Sequence, residues 1–121
     1  MDGGVAIFNE TSKWSLADLG RIASEPLRAA GVKRAVAFGS YARGVADAWS
    51  DLDLVVVMET DLPKLERGRL LGDLYDALPA SLDVLVFTPA EFEQGIQAGL
   101  DVFAAIATEG TTVFPLGPDV R

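Results

Sequence analysis

Gly39-Ser40-Tyr41-Ala42-Arg43-Gly44 and, after a gap of five residues, Ser50-Asp51-Leu52-Asp53-Leu54-Val55-Val56-Val57 decide how this chain reads. The second run, through Met58, is apolar on both faces apart from its aspartates, which marks a central strand. Residues two apart on a strand share a face, so Asp51 and Asp53 present their carboxylates together, about 7 Å apart at the backbone. Like charges that close repel. One of them tends to keep its proton or the strand loses stability, whereas a divalent cation between them reverses the sign of the interaction. The first run supplies neutral donors. Gly39 lets the backbone approach closely, and the Ser40 hydroxyl and the amides after it, at a predicted helix start, can point at phosphate oxygens. Ser40 precedes Asp51 by 11 residues, room for a turn and a short helix before the chain re-enters a sheet. The Gly-Lys-Ser/Thr ending of a Walker-type phosphate loop is missing.

Outward from this motif, strands and helices alternate. Ser15 is the expected N-cap of a helix, with Asp18 three residues on and Leu16, Leu19, Ile22, Leu27 and Ala30 at near-helical spacing up to Gly31. Pro26 inside that pattern predicts a kink or a split. Residues 33–38 read as a strand buried by Val36 and Phe38. From Pro63 to Leu78, the residues Leu65, Leu70, Leu71, Leu74, Tyr75 and Leu78 form a helical stripe opposite Arg67, Asp73 and Asp76, ended by Pro79. Residues 82–87 are a third strand. Pro89 to about Gly99 and Asp101 to Thr108 are helices that hand over at Gly99, and Thr111 to Phe114 is a last strand. Val5 to Phe8 reads as a short strand or a packing arm. The alternation predicts a two-layer α/β sandwich, a small mixed sheet covered by helices.

Composition narrows the chemistry. The chain has 121 residues, half of them hydrophobic, which fits one domain over residues 1–121 with its core at about 15–115. Twelve Gly and six Pro are scattered rather than clustered into a linker. There is neither His nor Cys, so a Ser-His triad, a thiolate nucleophile and an ordinary zinc site are all excluded. Metal chemistry must rest on the hard oxygens of Asp and Glu, which favour magnesium or manganese. A net charge of −8 repels polyanions at long range, so duplex nucleic acid is not an expected partner. No apolar run approaches the roughly 20 residues that span a bilayer, and the Met1-Asp2-Gly3-Gly4 start lacks a secretory basic region, so the expected setting is cytoplasmic, off the membrane.

Asp83 is the natural third ligand, an isolated acid in an otherwise apolar strand able to pair beside that of Asp51 and Asp53. Three carboxylates on one edge can hold two ions roughly 4 Å apart. A glycine-serine turn after a strand, an Asp-x-Asp pair opening the next and a lone Asp in a third strand together resemble the signature of the polymerase-beta-like nucleotidyltransferases. Within that superfamily the chain is similar to the single-domain group called minimal nucleotidyltransferases. The Gly39 to Val57 segment carries the specificity. The rest agrees in length and order of elements, including a closing Glu109-Gly110 turn and strand. The resemblance implies that Asp51 and Asp53 bind both metals, and that Asp83 binds one and takes the proton from the attacking hydroxyl. It implies Mg2+ or Mn2+ as cofactor and a nucleoside triphosphate, ATP, as donor. The reaction it implies is in-line attack by an acceptor hydroxyl on the alpha phosphorus, with pyrophosphate leaving.

Gly39, Ser40, Arg43 and Ser50 are the candidate nucleotide-binding residues. Arg43 has two readings, a phosphate contact or a partner for a nearby acid such as Asp47. Ser50 reads first as a local backbone cap. Tyr41 and Trp49 stand where the family commonly has small or polar residues. Trp49 is expected to cap the core, the alternative being a cover for the metal edge or a stacking surface for a base. Lys64, Arg67 and Arg69 read as a solvated helix face within reach of a triphosphate. Antibiotic-modifying relatives carry an added helical domain, for which this length leaves no room. The family therefore points to a helical HEPN partner protein, as in toxin–antitoxin pairs where the toxin is AMPylated. Phe92, Ile96, Leu100 and Phe103 are core at helical spacing or part of such an interface. The alternatives are a non-catalytic nucleotide- or toxin-binding module and an antibiotic adenylyltransferase completed by a second subunit; self-association stays open.

Overall fold

The computed structural model describes residues 13–99 and 101–116. Val5 to Phe8 and Leu100 lie outside the described residues. Helix α1 (Leu16–Ala29) starts on a capping box: the Ser15 hydroxyl accepts from the Asp18 amide and the Asp18 carboxylate accepts from the Ser15 amide. The expected break at Pro26 does not occur, and α1 runs through it as one helix. The proline stands in the last turn, where its missing N–H removes a single hydrogen bond, and the Pro26 carbonyl still accepts from Ala30.

Four strands follow in a sheet of order β3-β2-β1-β4. Strand β1 (Arg34–Phe38) lies antiparallel to β2 (Leu52–Val57), with Phe38 opposite Asp53. Strand β3 (Leu82–Phe87) lies parallel to β2, pairing Asp53 with Asp83 and Val57 with Phe87. Strand β4 (Thr111–Phe114) closes the other side antiparallel to β1. Between β1 and β2 comes α2 (Ser40–Arg43), one turn long; α3 (Gly72–Ala77), α4 (Pro89–Ala98) and α5 (Val102–Glu109) complete the order. This is the mixed sheet in an α/β sandwich that the sequence predicts.

Alternation along β2 divides the core in two. Leu52, Leu54 and Val56 face Leu19, Ala23 and Leu27 of α1 and Leu74 of α3. Val55 and Val57 face the other way, with Val36, against Ile106 of α5 and the partly buried Phe87, Phe92 and Phe103. Full burial of each such side chain contributes about 1.5–3 kcal/mol relative to leaving it in water. On this second face α5 runs from Phe103, against Phe87 at the end of β3, to Glu109 beside Gly39, and α4 adds Phe92. At the other end of the sheet, where β2 and β3 begin, Asp83 is exposed and Asp53 is half-buried.

The segment before α3 departs from the expected helix. Residues Lys64–Leu71 form a 3-10 helix with no side-chain cap, and only then does α3 begin. A 3.6-residue stripe does not survive a tighter helix, so Leu71, Leu74 and Leu78 are buried while Leu65 is fully exposed and Leu70 and Tyr75 partly so. Arg67, expected in solvent, is 6% exposed. Its Nε donates to the Leu62 carbonyl at 2.8 Å, and Nη1 donates to the Val86 carbonyl at 3.2 Å and to Glu91 Oε1 at 2.6 Å. Nη2 reaches Glu91 Oε2 at 3.3 Å. Glu91 also completes the capping box of α4 with Thr88. The guanidinium and the Thr88 amide hold its carboxyl at about 2, well below the usual carboxylate range.

Candidate active site at the open end of the sheet

Strand β1 delivers Gly39 directly beside Asp53. Gly39 has φ +76°, a backbone that disfavours any side chain, and a Cβ there would fall 2.4 Å from Asp53 Oδ2 and displace that carboxylate. The chain then makes the single turn of α2, and Gly44, left-handed at φ 75°, ends it. Tyr41, buried in the larger core cluster, anchors the turn from beneath. It is thus the aromatic position of the motif that packs into the core. Ser40 is half-buried at the mouth of the turn.

Asp53 and Asp83 are register partners on adjacent strands, and Asp51 is exposed just before β2. The Leu52 amide donates to the Ser81 carbonyl at 2.8 Å, which carries the pairing back toward Asp51. Burial raises the Asp53 pKa, and the charges of Asp83 and then Asp51 raise it further, with Arg43 opposing them. The three carboxylates therefore sense one another. They are not drawn into a closed ligand set: among the described residues, no group of three or more acids is placed to hold an ion as the side chains stand. Their chemistry nevertheless fits a divalent cation. All three offer hard oxygens, and Asp53 carries the repulsion that such an ion relieves.

Arg43 pairs with neither Asp47 nor another residue of its own loop. Its Nη1 donates to Glu109 at 3.1 Å and 3.3 Å. Asp47 is engaged elsewhere: its Oδ1 accepts from the Trp49 amide at 2.9 Å and from the Ser50 hydroxyl at 3.0 Å, and its own amide donates to Ser50 Oγ at 2.9 Å. Ser50 is thus the local cap its position suggested. Trp49 does not cap the core. It is 85% exposed, held outward by the same tight turn. Lys64 lies over the Phe87 ring and Arg69 pairs with Glu66. Phe92 and Phe103 pack on the smaller core cluster, whereas Ile96 is partly exposed. Glu109 was not legible as a site neighbour, because its contacts to Arg43 and Gly39 span 66 and 70 residues and no local spacing signals them.

Known proteins share the family and the fold. The family model described as a nucleotidyltransferase domain matches residues 19–111. A candidate protein adenylyltransferase of Methanocaldococcus jannaschii is 40% identical over 57 residues, which are 47% of this chain and 61% of that protein, so the chain spans less than two thirds of that relative's length. A solved candidate minimal nucleotidyltransferase superposes with a TM-score of 0.57 at 27% identity, over 87% of this chain and 99% of the other. A toxin–antitoxin solved with AMP-PNP shares the fold, with a TM-score of 0.53 at 22% identity over 79% of this chain and 73% of its own.

Proposed function

The chain belongs to the nucleotidyltransferase domain family and resembles its minimal members, and from that premise we propose that it transfers a nucleoside monophosphate, AMP from ATP, to a hydroxyl group of a partner protein. The observation that carries this reading is the meeting of Asp53 and Asp83, in register, with a left-handed Gly39 turn that lies against the Asp53 carboxylate. In this reading Asp51, Asp53 and Asp83 hold magnesium or manganese, which when bound neutralises the triphosphate and the charge that develops at the alpha phosphorus. The turn at Gly39 and Ser40 orients the terminal phosphates. Asp83, on the exposed edge strand, accepts the proton of the attacking hydroxyl, and pyrophosphate leaves in line. The acceptor we propose is a helical HEPN-type protein, so that the chain acts as the antitoxin of a pair in the cytoplasm, where ATP is available. Two things support a protein acceptor: the name of the archaeal relative, and the assembly of a fold neighbour in a toxin–antitoxin complex.

Incubation with alpha-labelled ATP and magnesium, with and without the co-purifying protein, tests this directly. Label on that protein is the expected result. Label on an added aminoglycoside alone would replace it with a small-molecule enzyme, and nucleotide binding without label anywhere would make the chain a binding module.

A further inference from the structure

Glu109, the last residue of α5, reaches across to the turn between β1 and α2. Its Oε2 accepts from the Gly39 amide at 2.7 Å, and both its oxygens accept from Arg43 Nη1. The helix offers this acid no welcome. A carboxylate at a helix C-terminus faces the negative end of the macrodipole, so the contacts with the turn must offset that repulsion. The Gly39 amide first, and Arg43 after it, lower the Glu109 carboxyl below its ordinary range. Gly110 makes the reach possible. A Cβ there would lie 2.5 Å from the Ile106 carbonyl oxygen and 2.9 Å from Val36 Cγ1, so the end of α5 is pressed onto β1.

We propose that Glu109 is a positioning residue for the nucleotide, holding the Gly39 turn and the Arg43 guanidinium in the arrangement that receives the triphosphate. The proposal rests on the functional reading above. The physical argument is pre-organisation. Ordering a glycine-containing turn costs conformational entropy, and a ligand that meets a turn already tied to α5 does not bear that cost. The same carboxylate keeps Arg43 on the α5 side of the turn.

Two variants test it. Glu109→Ala removes both contacts, whereas Glu109→Gln keeps a neutral acceptor for the Gly39 amide and loses the charge. For Glu109→Ala the KM for ATP is expected to rise about tenfold with kcat within about twofold, and for Glu109→Gln about threefold. Hydrogen exchange at the Gly39 amide should accelerate on the order of tenfold in the Ala variant and much less in Gln. An unchanged KM beside faster exchange overturns the role in nucleotide binding, and unchanged exchange overturns the clamp itself. Tighter nucleotide binding by the Ala variant also overturns the proposal, since the carboxylate would then be competing with phosphate. Should Glu109→Ala not fold, the Gln variant decides by the same two readouts. Wild-type chain that neither binds a fluorescent ATP analogue nor labels any acceptor sinks the functional reading instead, while Gly39 exchange still decides whether the clamp exists.

Discussion

The two ends of β2 and β3 treat charge in opposite ways. At the end where they finish, Arg67 is buried and paired with two backbone carbonyls and both oxygens of Glu91. At the open end, Asp53 is half-buried with the charges of Asp83 and Asp51 set against it and one cation, Arg43, in partial relief. A buried charge that is fully paired holds elements together, and removing one partner is costly. A buried charge left among its own sign is a standing electrostatic stress, tolerable where a ligand of opposite charge relieves it. The sheet thus has a structural end and a reactive end.

The largest expected effect is at the reactive end. Asp53→Asn should lower transfer by at least about a thousandfold, measured with labelled ATP, because a ligand of the proposed cation is lost. The metal-free protein should melt at the same temperature or higher, since the substitution also removes the repulsion. A variant that loses stability as well as activity would erase the distinction between the two ends. Next comes Arg67→Met at the structural end, expected to cost about 3 kcal/mol in denaturant unfolding because Glu91 and two carbonyls lose their partner. Transfer per folded molecule should be unchanged.

Acid should separate the ends by sign. Glu91 is depressed to about 2 from an ordinary 4.5, so the stability it contributes is complete above about 4.5 and is lost as pH falls through 2. Asp53 is raised, so the folded state takes up its proton first, and this group favours folding of the metal-free chain as pH falls from neutral through its elevated pKa. Unfolding curves between pH 7 and 2 should therefore show a shallower low-pH decline in Arg67→Met, and should lose the gain at higher pH in Asp53→Asn. The smallest effect is at Trp49. With 85% of its surface in solvent, Trp49→Ala should shift unfolding by no more than about 0.5 kcal/mol, and a larger loss would mean that the side chain packs after all.

The reactive end was the more legible of the two. Its aspartates are two residues apart where β2 begins and its turn is continuous in sequence, so the period of a strand and the backbone freedom of glycine suffice to bring them together. Asp83 became legible through the isolation of an acid in an apolar run, and the register pairs it with Asp53. The structural end misled. Arg67 was placed in solvent because an α-helical period was applied to a segment that folds as a 3-10 helix, where Leu65 points out and Arg67 points in. Pro26 misled in the other direction, since a proline in the final turn costs too little to split α1.

Local periodicity, hydrogen-bonding capacity and charge were determined by the sequence alone: strands that carry aspartates, a glycine-serine turn at positions 39 and 40, a chain without imidazole or thiol. Which distant groups meet was decided only by tertiary structure. Glu91 finds Arg67 across 24 residues, and Glu109 finds Gly39 across 70. The physical reason is that such pairings depend on how α4 and α5 seat on the sheet. That seating is a sum of many small packing terms, and no spacing along the chain records it.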